Sequence, residues 1–279
     1  VETVYDREAS NYDWKHHLTT RGQDTFWRRQ AGWLVSNVAR KSKCRPKVLD
    51  LCTGTGLTIE EMITILVGNG QGADITGLDY NSEMLRMAQK RNGQSCPGLS
   101  VDYVRGDAMR LSLADDKEIS LAQYEEQTFD LVTQVFGIGG IDGSVEVFRN
   151  VLMVLKPEGY YQMTDMHQPL AHQPGEVPFL WRWFKSPAFE YLAYHYHTVP
   201  VALNRLWGWK DPTLDFYRLP LITILDQDGW WGFEISSFEV ESQRWWLGLP
   251  IMPVARIVVR KVAIPEKEAT KRNQALTLL

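Results

Sequence analysis

The sequence predicts an α/β fold: a parallel sheet covered by helices on both faces and closed by an antiparallel hairpin. Five short apolar runs read as strands, namely KVLDL (47–51), DITGLD (74–79), SVDYVRGD (100–107), FDLVTQVF (129–136) and GYYQMTD (159–165). Segments of helical periodicity separate most of them: LTIEEMITILVGNG, NSEMLRMAQKRNG and SVEVFRNVLMVLKPEG, the last two closed by a glycine. Repeated strand and helix is the pattern of parallel strands buried on both sides. Two later runs, FEISSFEVE (233–241) and VARIVVRKV (254–262), have no helical pattern between them, so they pair as the closing hairpin.

The 279 residues, 44% apolar and 23% charged, suffice for a compact globular body. We read residues 1–279 as a single domain. A net charge of −4 argues against a general polyanion-binding surface, so nucleic acid is not an expected partner. Cys44, Cys52 and Cys96 are far apart with no C-x-x-C pair, which fits a reducing, cytoplasmic setting better than a disulfide framework. No apolar run approaches the length of a membrane span, and the opening VETVYDREAS has no signal-peptide apolar region. Eight of the eleven tryptophans fall between Trp181 and Trp246. Residues 166–232, after the fifth strand, are therefore a candidate substrate cap, with aromatic packing of an irregular insertion as the alternative. Residues 1–40 are the candidate N-terminal helical lid. The polar tail PEKEATKRNQALTLL reads as a short helix or a frayed end.

The first strand ends in Asp50 and runs into Cys52-Thr53-Gly54-Thr55-Gly56, where a helical pattern begins. Such a turn lets a ligand approach the backbone closely and offers it free N–H groups at a helix start. A dinucleotide fingerprint requires a third small residue, but Leu57-Thr58-Ile59 follows Gly56. An ATP-type loop requires a lysine after its last glycine, and none is near. An acid ahead of the turn is poorly placed for pyrophosphate and well placed for an ammonium group, which S-adenosylmethionine carries. Asp79 ends the second strand, where a carboxylate accepts from ribose hydroxyls, and Tyr80 beside it suits an adenine face. Asp107 ends the third strand in RGDAM, placed to accept from the adenine amino group with Ala108 and Met109 beside it. Each acid alone is also a plausible helix cap, but three at successive strand ends share the edge where ligands of open α/β sheets bind.

On VLDLCTGTG, GLDYNSEMLRMAQ, FDLVTQVFGIGG leading to VLMVLKPEGYY, and the amino-terminal YDREASNYDW, the chain resembles the class I S-adenosylmethionine-dependent methyltransferases from about Tyr5 to Lys261. It is most similar to the ubiquinone/menaquinone C-methyltransferase (UbiE-like) group and its small-molecule relatives. The resemblance implies a Rossmann-like, doubly wound, seven-stranded sheet whose last strand runs antiparallel. It also implies cofactor contacts from Asp50, Thr53, Gly54, Thr55, Gly56, Asp79, Tyr80, Asp107, Ala108 and Met109, and a pocket floor from Gln134 to Gly137. Tyr5, Tyr12 and Trp14 are the lid residues expected over the cofactor. The sequence departs from the group in three places. Cys52 stands where a glycine is common, FGIGGIDG has glycine where the quinone enzymes carry arginine, and LSLADDKEISLAQYEEQT replaces their short link before the fourth strand. The quinone substrate does not carry over on these grounds.

The expected activity is methyl transfer to a small apolar or aromatic acceptor, at oxygen or carbon, by orientation in a site closed to water. A phenolic acceptor makes a base useful. Six histidines are present. His167 follows the fifth strand directly and Asp165 is two residues before it, so His167 is the expected base and Asp165 its orienter; a loop histidine with a purely structural hydrogen bond is the alternative. His16 and His17 lie in the candidate lid, and His172, His195 and His197 in the cap. They show no converging ligand set, so no metal is expected. Other classes remain open: a cofactor-binding enzyme that catalyses a rearrangement without methyl transfer, and a non-catalytic binding or scaffold protein on the same fold.

Overall fold

The computed structural model describes residues 12–14, 16–17, 20, 22–92, 96–110, 127–138, 141, 144–166, 221–226, 228–244 and 250–276. Its strands are β1 (Lys47–Leu51), β2 (Ala73–Asp79), β3 (Leu99–Arg105), β4 (Phe129–Val135), β5 (Leu155–Met166), β6 (Trp231–Arg244) and β7 (Pro250–Ala263). They form one seven-stranded sheet in the order β3-β2-β1-β4-β5-β7-β6. The pairs from β3 to β5 are parallel, while β7 runs antiparallel to both β5 and β6. The expected mostly parallel sheet with an antiparallel last strand is thus the observed one. Chain order reverses between β1 and β4, which makes their C-terminal ends the topological switch point.

Five helices are described: α1 (Asp24–Lys41), α2 (Leu57–Gly68), α3 (Ser82–Asn92), α4 (Ser144–Val154) and α5 (Glu266–Leu276). One face of the sheet packs Ala31 and Val35 of α1 and Ile59, Met62 and Leu66 of α2 against Val48, Ile75, Leu131 and Val135. The other face packs Val147, Phe148, Val151 and Leu152 of α4 with Tyr161, Phe233 and Val259. Apolar residues recur three and four apart on α1, α2 and α4, so each of these presents one stripe to the sheet. Within the polar tail, Glu266–Leu276 form the helix α5.

Two elements differ from the sequence reading. The helical pattern expected through Gly159 stops at Val154, and β5 starts at Leu155. Pro157 accounts for this, because proline disfavours helical geometry in the residue before it and provides no N–H of its own. The other difference concerns the N-terminal lid. Trp27, Ala31, Val35 and Val38 of α1 are all buried, so Asp24–Lys41 packs as part of the core. The expected cap falls almost wholly outside the described residues, as do His167 and Tyr5.

If α1 is framework, Trp27→Ala should lower the unfolding free energy by about 3–5 kcal/mol, the range for removing a buried large aromatic. Urea titration of the two proteins measures this; a loss below about 1 kcal/mol, typical of surface positions, would return α1 to the role of a lid.

Candidate functional site

The site is built on the turn after β1. Asp50 lies beside Thr133 of β4 in register, and its carboxylate accepts the Thr133 hydroxyl at 2.7 Å and the Thr53 hydroxyl at 2.7 Å. It is 1% exposed. Burial raises its pKa to about 6, against the opposing hydrogen bonds from Thr133 and Thr53. Asp50 lies beneath the turn, each oxygen accepting one hydroxyl, and Thr53, also buried, donates to it.

Above Asp50 the backbone turns sharply. Cys52 has φ +55 and Gly54 φ +56. A side chain at residue 54 would extend into open space, with the Cys52 carbonyl 4.0 Å from its Cβ. The Gly54 N–H donates to Asp79 Oδ2 at 2.8 Å, and the Asn81 N–H donates to Oδ1 at 2.9 Å. Burial raises the Asp79 pKa, with the backbone donors of Asn81, Gly54 and Tyr80 opposing. Tyr80 is half exposed, and the Arg105 guanidinium sits 5.8 Å from its ring centre. Asp107 Oδ1 accepts the Met109 N–H at 2.9 Å; Met109 is half-buried and Ala108 is buried. Gly54, Asp79, Tyr80 and Asp107 are therefore brought to one edge, as the sequence suggested.

At the adjoining end of β4, Gln134 is 1% exposed and donates to Cys52 Sγ at 3.6 Å while accepting the Tyr161 hydroxyl. It thereby joins the turn after β1 to β5. A Cβ on Gly137 would fall 2.4 Å from the Cys52 Cβ, so the two loops pass too closely for any side chain there. Burial, and then the charge of Asp79, pushes the Cys52 thiol far above its ordinary pKa, which keeps it protonated and unreactive. Asp165, at the end of β5, is 4% exposed and its Oδ2 accepts the Ile138 N–H at 3.1 Å. Its described role is to hold the loop after β4. The expected partnership with His167 lies outside the described residues.

Two site residues, Asp13 and Asp24, escaped the sequence reading. Asp13 accepts from the Thr55 hydroxyl and from the Arg91 guanidinium of α3, tying the N-terminal segment across the turn. Tyr12 lies next to His16, with ring centres 5.8 Å apart. Asp24 is 3% exposed, with His16, His17 and Arg28 around it. Its pKa would rise through burial, but hydrogen bonds from His16 and Thr20 and the Arg28 charge hold it below the ordinary range. An acid in a first helical turn signals only a helix start, so nothing local marked Asp24 as buried. Among the described residues no group of His, Cys, Asp and Glu could hold a metal ion, and no helix is long and apolar enough to cross a membrane.

Asp50 makes a pH prediction. A carboxyl whose folded pKa is raised to about 6 binds its proton more tightly folded than unfolded, so its contribution weakens stability as pH rises from 4 through 6. The span corresponds to roughly 3 kcal/mol. Urea titrations of wild type and Asp50→Asn across pH 4.5–7.5 should show the variant gaining on wild type by an amount of that order as pH rises. A constant difference would mean that Asp50 ionises normally in the fold.

Residues 1–192 match the model of the ubiE/COQ5 methyltransferase family. A demethylmenaquinone methyltransferase of Lactiplantibacillus plantarum is 30% identical over 66% of this chain and 68% of its own length. The one from Lactobacillus johnsonii is also 30% identical, over 61% and 62%. A 2-phytyl-1,4-naphtoquinone methyltransferase of Synechococcus elongatus is 29% identical over 73% and 81%. The chain thus spans roughly three fifths to two thirds of the first curated relatives it matches. Among solved structures, phosphoethanolamine N-methyltransferase 1 of Haemonchus contortus shares the fold at a TM-score of 0.57 and 17% identity, over 99% of this chain and 51% of that one. With the family model covering more than half of its length, the chain belongs to the ubiE/COQ5 methyltransferase family.

Proposed function

We propose that this protein transfers a methyl group from S-adenosylmethionine to a small apolar or aromatic acceptor. The observation that carries the reading is the C-terminal sheet edge, where Gly54 opens on free space beside the doubly braced Asp79 and the exposed Tyr80 ring. This edge fits the cofactor. The Asp79 carboxylate suits the ribose hydroxyls, Tyr80 suits the adenine face, and Asp107 with Met109 suits the adenine edge. Bound there, S-adenosylmethionine would supply an electrophilic methyl group. The buried Asp50 carboxylate stabilises positive charge above the turn, and Asp13 is anchored beside it by Thr55 and Arg91. Orientation of the acceptor in a site closed to water is most of what such a reaction requires.

Relatives named for demethylmenaquinone and phytyl-naphthoquinone favour a bicyclic phenolic acceptor, while the glycines of FGIGGIDG favour testing a wider panel. Labelled-methyl S-adenosylmethionine, incubated with 1,4-dihydroxynaphthalene, its prenylated forms and simple phenols, should give methylated product and demethylated cofactor in equal amounts. Product without cofactor consumption would establish a rearrangement instead, and no product with any acceptor would favour a binding protein.

Asp79→Ala should weaken S-adenosylmethionine binding by about 1.5–3 kcal/mol, the range for a charge-assisted hydrogen bond, and leave the protein folded. Unchanged affinity by calorimetry in a folded variant would remove Asp79 from the ribose site.

A further inference from the structure

Phe136, just beyond β4 at the switch point, has φ +59 and its N–H donates to the Thr164 carbonyl at 2.8 Å. Three groups from the N-terminal region surround its ring. His16 meets it edge-on at 4.7 Å between ring centres, Trp27 at 5.6 Å, and the Arg28 guanidinium lies 5.6 Å from its centre. The adenosine-facing residues are at the ends of β2 and β3, so the reacting end of a cofactor bound across β1 is directed towards β4, where His16 sits.

The surroundings of His16 exceed what a structural histidine needs. Its side chain is 12% exposed, and its Nδ1 is 3.6 Å from Asp24 Oδ2. Asp24 is itself fixed by the Thr20 hydroxyl at 3.0 Å, with His17 Nδ1 at 3.3 Å and Arg28 Nε at 3.8 Å. The Nδ1 atom is buried with no partner inside hydrogen-bond distance, and the Asp24 carboxylate is the acid beside it. A buried carboxylate behind one imidazole nitrogen selects the tautomer whose other nitrogen accepts, and stabilises the cation formed when it does.

Resting on the methyl-transfer reading above, we infer that His16, positioned by Asp24, is the general base that takes the hydroxyl proton of a phenolic acceptor. The proton passes to Nε2 and the oxygen electron pair is released into the ring. The ring carbon beside the hydroxyl then forms its bond to the methyl group as the sulfur–methyl bond breaks, its electron pair staying on sulfur. Loss of that carbon's proton to water restores the aromatic ring. Burial lowers the His16 pKa, the Asp24 hydrogen bond opposes this, and the Arg28, Asp24 and Asp13 charges follow in weight. His16 is thus neutral and able to accept at neutral pH. This places the base on the N-terminal segment, whereas the sequence pointed to His167.

The test has two readouts. The first is nitrogen NMR of histidine-labelled protein saturated with S-adenosylhomocysteine and titrated with 1,4-dihydroxynaphthalene. The His16 Nε2 resonance should move towards its protonated position, and it should not do so in Asp24→Asn. An Nε2 signal that stays fixed over the whole titration overturns the inference, whether or not any acceptor is methylated. The second is turnover on the best acceptor. His16→Gln should lower kcat by 10²–10⁴-fold with cofactor affinity within about twofold of wild type, and should lose the acid limb of the kcat/KM profile. Asp24→Asn should move that limb to lower pH, because the carboxylate raises the His16 pKa. Near-normal kcat in His16→Gln together with a large loss in His167→Gln would overturn the inference while leaving methyl transfer intact. A wild type that methylates nothing would instead overturn the function and leave the NMR result to decide His16.

Discussion

Much of this molecule depends on one buried carboxylate. Asp50 takes hydroxyl hydrogen bonds from Thr133 of the neighbouring strand and from Thr53 of its own turn. That arrangement joins β1 to β4 where the chain order reverses, and it sets the path from which Gly54 projects its N–H towards Asp79. Charge at this depth is disfavoured, as its raised pKa records, so the brace works against its own desolvation. Such an interaction is better explained by a need to place a turn, and a field, beneath a cationic ligand than by stability alone.

Around the brace the edge is assembled from residues in unfavourable conformations or surroundings. Cys52 and Phe136 both adopt positive φ, one on each side of the switch point, and the Cys52 side chain fills the space that forces glycine at 137. Strain of this kind persists where neighbouring structure over-determines it. Here the restraints are the Phe136 N–H to Thr164 and the Ile138 N–H to Asp165. Asp24 and Asp50 show how environment separates two buried acids. Asp24 has His16, Thr20 and Arg28 for company and ionises readily, whereas Asp50 has two hydroxyls close by and only more distant help from Arg28.

The legible part of the site was the part written in short segments. A strand, a glycine turn and a helix start are contiguous from Val48 to Met62, and Asp79 and Asp107 each close a strand of recognisable pattern. The illegible part depends on what lies opposite. Thr133 reads as one more residue of a buried strand until register sets it beside Asp50, and Asp13 reads as a surface acid until Arg91, 78 residues later in the chain, reaches it.

The sequence by itself determined the alternation of strands and helices, the reversal into a closing hairpin and the ligand edge, because periodicity and turn chemistry are local and repeat in every element. Only the tertiary structure decided that Asp50 takes its hydroxyl partners from two elements, that α1 packs into the core, and that His16 stands before Asp24 at the end of β4. Burial and partnership are properties of surfaces brought together from distant parts of the chain, and a side chain's ionisation and reach follow from those surfaces.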